Sequence, residues 1–221
     1  MLGSKLNSPS GQGLLETIVA IGIILSGLIG VVGLTVSNLT VGAATQSRLQ
    51  AANLAREGIE AARAIRDGAW LQGAAVPWYD CPLSSGLNCL SYMSTAGDIT
   101  AVPILDPVSF QWTMYFTPND FNHATALIYR DQNSIYRQAV VTPITSATTT
   151  AFRRLLELYP ICRNQAANQE SSSDAICGGD KVQVGVRVIA KVEWAERGNT
   201  HELVLEDFLY NWRYATIPNT P

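Results

Sequence analysis

Residues 10–36 read SGQGLLETIVAIGIILSGLIGVVGLTV, and this stretch decides how the chain is organised. No residue from Thr17 to Ser47 carries a charge, and Thr17–Val36 as an α-helix would rise about 30 Å, the thickness of a bilayer core. Glu16 stands directly before this apolar run. A charged side chain at mid-bilayer costs about 2.5 to 3.5 kcal/mol, so we expect a carboxylate retained there to have a partner and a function.

The remainder of the chain has the composition of one globular domain. Of the 221 residues 47% are hydrophobic and 15% are charged, and the apolar excess lies near the amino terminus. From about residue 70 onward the chain is more polar and has the ordinary length of a single domain with one core. Net charge is -3 and the 15 Lys and Arg are scattered, so the composition predicts no nucleic-acid binding.

The apolar segment has three interpretations. A cleaved secretory signal would use Val41-Gly42-Ala43 as its cleavage site, but the apolar run is longer than a usual signal core and Lys5 is the one basic residue before it. A plain membrane anchor would leave Lys5 and the amino terminus inside, with Glu16 complementing the helix dipole at the interface. The third interpretation uses Gly11 and Glu16 together.

The spacing of Gly11 and Glu16 resembles the processing motif of the type IV pilin and pseudopilin family. In that family a short polar leader ends in Gly, a membrane-embedded prepilin peptidase cuts after it, and the fifth residue of the mature chain is Glu. The resemblance places the cut between Gly11 and Gln12, with Leu14 and Leu15 as the apolar third and fourth residues and Glu16 as the fifth. It also implies N-methylation of Gln12.

The motif departs from the commonest family pattern at two positions, and its physical logic is independent of both. Gln12 stands where Phe is usual, and Gly13 stands where Thr is usual. Cleavage would leave a cationic amine about 6 Å along the helix from Glu16, and a neighbouring subunit shifted along the axis could bring its own amine to that carboxylate. The family implies that this pairing selects the stagger of subunits in a filament.

A long helix is predicted to follow the motif, because no Pro interrupts the run from Leu14 to Arg66, which would be about 80 Å long. We expect Gly68 to end it. The resemblance implies the pilin fold, of class α+β, in which a long N-terminal helix packs on an antiparallel β-sheet. At 100° per residue the second half has a polar stripe, Asn53, Arg56, Glu57, Glu60, Arg63 and Asp67, opposite an apolar stripe, Ala51, Leu54, Ala55, Gly58, Ala61, Ala62 and Ile65.

Four segments result from these observations. Residues 1–11 are predicted to be a leader peptide, 12–36 the transmembrane part of the helix, 37–67 its amphipathic part, and 68–221 a β-rich head. The head is predicted to begin with an irregular connection, Ala69–Leu105, that contains several Pro and Gly residues.

Strand patterns then follow along the head. Val108–Phe116 and Ala151–Leu158 are predicted strands, and Thr125–Tyr129 with Ser134–Val141 is a predicted hairpin around residues 131–133. A last hairpin turns at residues 197–199 into Glu202–Trp212. Its first strand has apolar residues at every second position, which predicts one buried face: Val182, Val184, Val186, Val188, Ala190, Val192 and Trp194. This closing segment loosely resembles that of many pilin-like minor subunits.

The four cysteines form two pairs that are close in sequence, and neither spacing is that of a zinc site. We expect two local disulfides, Cys81–Cys89 and Cys162–Cys177, formed in an oxidising compartment. The second pair encloses a polar loop that is either an exposed recognition loop or a solvated excursion between strands; both interpretations remain open.

Catalytic and metal-binding motifs are absent from the sequence. His123 and His201 are the two histidines, and neither stands in a hydrolase, zinc or phosphate-binding motif. We therefore expect no enzyme activity, cofactor or metal. The resemblance implies a structural subunit of a type IV pilus-like filament, a minor pilin by its length. A major pilin, a pseudopilin of type II secretion and a subunit of a DNA-uptake pilus are alternatives, and a membrane-anchored adhesin that never polymerises is a rival of another class.

The resemblance also implies partners and a location. The partners are other pilin subunits, a prepilin peptidase, the inner-membrane assembly machinery and membrane lipid. The precursor would cross the cytoplasmic membrane once with its amino terminus inside, and the assembled subunit would lie in a cell-surface pilus.

Overall fold

One helix and one sheet make up the described part of the chain. The computed structural model describes residues 12–71, 78, 100–106, 109–116, 120–139, 147–164, 166–172 and 177–212. The helix α1 spans Gln12–Leu71, 60 residues. The chain divides into two compact units, residues 1–47 and residues 48–221, and α1 passes through both. The predicted α+β class, with a long N-terminal helix packed on an antiparallel sheet, is confirmed.

The helix runs past the position where the sequence predicted its end. Gly68 was expected to close the helix, but α1 continues to Leu71. Burial explains the extra turn, since Ala69 and Trp70 are 1% and 7% exposed in the core and the ring of Trp212 lies 4.8 Å from that of Trp70. The packing of these two residues outweighs the cost of about 1 kcal/mol for a helical Gly.

The strand β5 (Thr148–Asn164) organises the sheet. Along one side it pairs antiparallel with β7 (Lys181–Glu196), and β7 pairs antiparallel with β8 (Asn199–Tyr210). Along its other side three shorter strands follow one another, and two of them carry a further strand. These are β3 (Leu127–Arg130) with β4 (Tyr136–Arg137), β1 (Thr100–Leu105) with β2 (Trp112–Phe116), and β6 (Glu170–Ser171).

Two strands differ from the sequence-based boundaries. β1 lies inside the predicted irregular connection, where Pro103 argued against a strand. Pro103 is opposite Met114 of β2, beyond the two residues of β1 that pair with β5, so the described ladder to β5 loses no bond there. β2 begins at Trp112 rather than near Val108, because Phe110 has a φ of 55° and its N–H donates to the Asp106 carbonyl in a turn.

The first hairpin is confirmed, but it is shorter than predicted. β3 and β4 pair on either side of residues 131–135, and Asp131 closes the turn by accepting hydrogen bonds from the N–H groups of Asn133 and Ile135. Thr125 belongs to a 3-10 turn, Ala124–Ala126, rather than to the strand.

The predicted strand Ala151–Leu158 is the middle of β5, which extends for 17 residues although it contains Pro160. Pro160 lies opposite Val186 of β7. On the other side of β5, described pairing stops at Glu157 and resumes at Cys162, so Pro160 falls in a gap between neighbouring strands. A proline without a ladder donor is tolerated at such an edge position.

The last hairpin has the predicted turn but a different buried face. Arg197 and Gly198 have φ values of 52° and 81°, as a two-residue type I′ turn requires. The interval from Val186 to Trp194 is buried at every second residue as predicted, whereas Val182 is 41% exposed and Val184 is half-buried. The register against β5 shifts between Gly185 and Gln183. This one-residue bulge turns the side chains that precede it in β7 to the other face of the sheet.

The main core lies between the carboxyl-terminal part of α1 and one face of the sheet. Every residue of the predicted apolar stripe is buried, which confirms that face of the helix. Alternate residues of three long strands pack against it: Phe152, Leu156, Leu158, Val186, Val188, Ala190, Val192, Trp194 and Leu209. A smaller cluster, Val102, Ala126 and Leu155 with Ile104 and Phe121, covers the opposite face, since Leu155 and Leu156 point to opposite sides of β5.

Substitution of two glycines by Ala is expected to change the free energy of unfolding in opposite directions. A Cβ at Gly185 would lie 2.6 Å from the Leu209 carbonyl oxygen and 3.0 Å from the Tyr210 Cα, whereas a Cβ at Gly68 would meet nothing within 4 Å. We expect Gly185→Ala to lower the free energy of unfolding by about 1 to 3 kcal/mol through overpacking. We expect Gly68→Ala to raise it by up to about 1 kcal/mol through helix propensity. Denaturant unfolding of the full chain in detergent, followed by tryptophan fluorescence, measures both. Equal stability of the two variants would contradict the packing described for β7 and β8.

Candidate assembly site

The apolar half of α1 exposes its whole circumference. Every side chain from residue 13 to residue 39 is exposed, and the large apolar side chains from Leu14 to Val41 are 52% to 73% exposed. Its most apolar 18-residue window has a mean hydropathy of 2.5, and this is the one helix in the described residues that is long and apolar enough to cross a membrane. The helix is therefore compatible with a membrane anchor.

Several hydroxyl groups in this half donate hydrogen bonds to carbonyls of the same helix. Thr35 and Thr40 donate to the carbonyls of Val31 and Val36, each at 2.9 Å. Ser26 donates to the Ile23 carbonyl at 2.8 Å. In hydrocarbon every polar group needs an internal partner, and these hydroxyls already have one.

Glu16 is the one charged side chain in this half of the helix. It is exposed, it has no ion pair with any described residue, and no acidic residue lies in the first turn of α1. The stabilisation of a carboxylate by the helix dipole decays within the first turn. The dipole therefore gives little support to Glu16, and none of the described residues offers it a cation.

One residue of the predicted cleavage site is at the start of this helix. Gln12 is the first residue of α1, and Gly11 lies outside the described residues. In an α-helix the backbone nitrogen of Gln12 is about 6 Å along the axis from Glu16. An amine created there would be near enough to attract the carboxylate but is offset from it along the helix, and a neighbouring copy moved by this offset would bring the two charges level. Cleavage at Gly11 and methylation of Gln12 remain predictions.

A buried cation joins the helix to the head. Arg154, on β5, is 1% exposed, and its Nη1 donates to the Leu54 carbonyl of α1 at 2.8 Å. Its Nε donates to Oε1 of Gln138 at 2.9 Å, and Glu57 on the helix places a carboxylate oxygen 3.6 Å from Nη1. Burial lowers the pKa of Arg154 from its usual value, and Glu57 opposes that shift. Since Arg stays protonated in proteins, the core holds a charge that must remain paired.

Two neighbours complete this polar contact. The Gln138 amide donates to the carbonyls of Thr125 and Ala126 and to that of Arg154, at 2.9 to 3.0 Å. Gly58 provides the space, because a Cβ there would lie 2.8 Å from Cδ2 of Leu156 and 3.4 Å from Cδ of Arg154. Arg154 and Gln138 were not predicted from the sequence. Arg154 could have been recognised as a buried charge, since it alternates with Phe152 and Leu156 on the apolar face of a predicted strand.

The second cysteine pair forms a disulfide. Cys162 and Cys177 are joined by a disulfide with Cα atoms 5.4 Å apart, while Cys81 and Cys89 lie outside the described residues. A loop of this size contributes about 3 kcal/mol in the chain-entropy model. Inside it β6 pairs with β5, so part of the segment is a strand rather than a free excursion.

A three-residue clamp holds β6 in place. The guanidinium of Arg163 donates two hydrogen bonds to Oε1 of Glu170, and the hydroxyl of Tyr210 donates to Oε2 at 2.9 Å. These two donors lower the pKa of Glu170, and the same hydrogen bond to Glu170 raises the pKa of Tyr210.

Both histidines have structural surroundings. Nδ1 of His123 lies 2.8 Å from the Thr125 hydroxyl and caps the 3-10 turn, and His201 stacks on Trp194 with ring centroids 5.4 Å apart. In the described ranges no group of three His, Cys, Asp or Glu side chains is arranged to hold a metal ion.

Comparisons with protein-family models, with curated proteins and with solved structures find no match.

The buried cation predicts that the stability losses from mutating Gln138 and Arg154 are not additive. Gln138→Leu leaves the Nε of a buried guanidinium without its acceptor, and we expect it to lower the free energy of unfolding by about 1.5 to 3 kcal/mol. Arg154→Met removes the charge and keeps much of the volume. We expect the double variant to lose clearly less than the two single losses added together. A double-mutant cycle by denaturant unfolding measures this coupling, and additive losses would show that the two side chains act independently.

The clamp on β6 predicts a pH dependence with two limbs. Because its pKa is lowered, Glu170 contributes stability above its ordinary pKa of about 4.3 and loses it as pH falls through the folded value. Because its pKa is raised, Tyr210 contributes below about pH 10 and loses its contribution as pH rises through the folded value. We expect Glu170→Gln to lower stability at pH 7 by less than about 1 kcal/mol, with the difference disappearing in acid.

The matched control for the acid limb is Glu170→Gln in an Arg163→Gln, Tyr210→Phe background. In that background neither donor remains, so the substitution should change stability little at any pH. A wild-type advantage that stays constant down to pH 2 would be incompatible with the clamp.

Proposed function

We propose that this chain is a type IV pilin-like subunit, a minor pilin, made with a leader of residues 1–11 and cut between Gly11 and Gln12. The observation that carries the proposal is Glu16, a lone carboxylate on a fully exposed apolar helix, placed five residues after a glycine. In this proposal the mature amine of one subunit, N-methylated at Gln12, pairs with Glu16 of the next. Other pilin subunits and the assembly machinery of the cytoplasmic membrane are its partners.

The energetics of lipid support this role. An unpaired carboxylate costs about 2.5 to 3.5 kcal/mol at the bilayer centre, roughly a hundredfold in an equilibrium constant, and less toward the end of the span, where Glu16 lies. Pairing relieves this cost only when the two helices are offset by the distance from amine to carboxylate. The relief is therefore specific for one stagger, whereas apolar contacts between helices are tolerant of sliding.

The exposed helix surface supports a polymer in addition to an anchor. A lipid bilayer can cover the apolar side chains from Leu14 to Val36, and neighbouring helices of a filament core can cover the same surface after the subunit leaves the membrane. A head with one disulfide inside the described residues suits the oxidising side of that membrane. A single-pass precursor with its amino terminus inside, and a surface filament afterwards, follow from this arrangement.

Substitution of Glu16 tests the proposal. We expect Glu16→Ala to be processed and inserted normally and to fall at least about 10-fold in the sheared filament fraction, because the pairing that selects the stagger is lost. Glu60→Ala is the matched control, since Glu60 is an exposed carboxylate on the same helix, and it should assemble like the wild type. Quantitative immunoblots of membrane and sheared fractions measure both variants. Normal assembly of Glu16→Ala would refute the role of Glu16.

The processing step has its own readout. Intact mass of the native polypeptide should correspond to a chain that begins at Gln12, and Gly11→Leu should leave the leader attached. A native chain that begins at Met1 favours the anchored, non-polymerising module, and one that begins near Ala44 favours a cleaved secretory signal.

A further inference from the structure

The strand β8 forms a long edge of the sheet. It pairs with β7 over 12 residue pairs in one unbroken register, and among the described residues β7 is its one partner. The Asn211 N–H donates to the Val184 carbonyl at 2.8 Å, directly opposite in this register. Hydrogen-bonded and non-hydrogen-bonded pairs alternate along an antiparallel ladder, so the odd-numbered residues of β8 bond to β7. The even-numbered residues direct their backbone N–H and C=O groups away from it.

The same even-numbered residues carry the exposed side chains of β8. They lie on the face of the sheet opposite the helix, because Leu203, Leu205 and Leu209 face the core. Together they form the open edge, and all six are exposed: Thr200, Glu202, Val204, Glu206, Phe208 and Tyr210. Natural edges are blunted by Lys, Pro, bulges or short length. β8 has none of these, and acidic side chains are the protection seen in the part of the chain that the structure describes.

The charges of this edge are incompletely balanced inside the fold. Glu206 accepts two hydrogen bonds from Arg187, and Asp207 accepts one from Arg63 of the helix. Glu202 lies directly opposite Glu193 of β7, and the cation on the other side of Glu193 is Arg153 of β5, one strand farther from Glu202. Like charges opposite one another destabilise an antiparallel pair, and a cation beside Glu202 would relieve this repulsion.

The geometry points to β8 as a docking edge for an extended, basic segment of a partner polypeptide, added to the sheet as a ninth strand. The backbone groups of the six even-numbered residues supply the hydrogen bonds, which do not depend on sequence. Sequence preference comes from the side chains. Lys or Arg opposite Glu202 and Glu206 and β-branched residues opposite Val204 and Phe208 complement the edge. The partner strand therefore has basic and apolar residues in turn at every second position.

Charge argues for this occupant over a second copy of β8. The strand contains Glu202, Glu206 and Asp207 and no Lys or Arg of its own, so pairing two copies would bring two acidic strands together. A basic strand meets the opposite charge at the same positions. The inference does not depend on cleavage at Gly11 or on Glu16, so it can fail or succeed apart from the proposed function.

A synthetic peptide tests the edge on the full chain in detergent. In an antiparallel pairing, the peptide ITKTVTKT places its lysines opposite Glu206 and Glu202 and its valine opposite Val204. We expect it to bind saturably by fluorescence anisotropy, and the acidic peptide ITETVTET to bind at least about 10-fold more weakly. N-methylation of the basic peptide at its valine and lysines removes the hydrogen bonds that face β8 and should also weaken binding at least about 10-fold.

Protein variants locate the site. Val204→Pro removes an outward N–H and keeps the bonds to β7, whereas Val204→Thr keeps that N–H and serves as the matched control. We expect Val204→Pro and Glu202→Lys each to weaken binding about 10-fold or more, with Val204→Thr equal to the wild type. Because the N-methylated peptide is tested on unaltered protein, a variant that fails to fold does not prevent the test.

Three outcomes would overturn the inference. The first is equal binding of the basic and acidic peptides, and the second is binding that Val204→Pro leaves unchanged. The third is absence of binding, including the case in which a second copy occupies the edge, which sedimentation would detect as a dimer abolished by Val204→Pro.

Discussion

The position of the helix on the sheet depends on one buried guanidinium. Arg154 lies in the seam between α1 and β5, where water cannot replace a lost partner, and its partners come from the helix and from the segment after β4. A slide of α1 by one turn, about 5.4 Å, would move the Leu54 carbonyl and Glu57 away from the guanidinium and leave Gln138 as its described side-chain partner. Apolar packing alone discriminates poorly between such registers, because Ala51, Ala55 and Ala62 present nearly the same surface.

Two charged side chains, one packed against α1 and one on it, have opposite surroundings. Arg154 of β5 brings a cation to the second half of the helix, where its Nε and Nη1 donate to acceptors within the same chain. Glu16 lies on the first half, where the carboxylate has no cation among the described residues. The described residues therefore provide partners for the buried charge of the head and none for the charge beside the apolar segment. The proposed filament supplies the missing partner from another subunit.

Much of the fold could be predicted from periodicity, because burial has a direct signature in the order of residues. The apolar stripe of α1 and the alternation from Val186 to Trp194 were identified in this way, and the turn at Arg197-Gly198 has recognisable chemistry. Periodicity failed where a local irregularity depends on a distant neighbour. The bulge that exposes Val182 follows from the pairing of β7 with β5. β1 is a strand despite Pro103 because β5 does not pair with β1 at the position of the proline.

The site was predictable to a different degree in its two parts. Glu16 stands five residues after Gly11, so their spacing carries the hypothesis without any tertiary information. The contact of Arg154 with Leu54 joins residues 100 positions apart, and Gln138 reaches it from a third element. No spacing rule connects such residues. The buried arginine on an apolar strand face was visible, but its partners required the topology.

The order of strands along the chain has a consequence for biosynthesis. The apolar stripe of α1 is translated early, whereas the strands that cover it, β5, β7 and β8, come last and end only at Tyr210. At 5 to 20 residues per second, the interval between Trp70 and Tyr210 amounts to roughly 10 to 30 seconds. During that time the nascent polypeptide presents an uncovered hydrophobic stripe next to an even more apolar segment. Chaperones or the translocation channel must shield it until the carboxyl-terminal hairpin has left the ribosome.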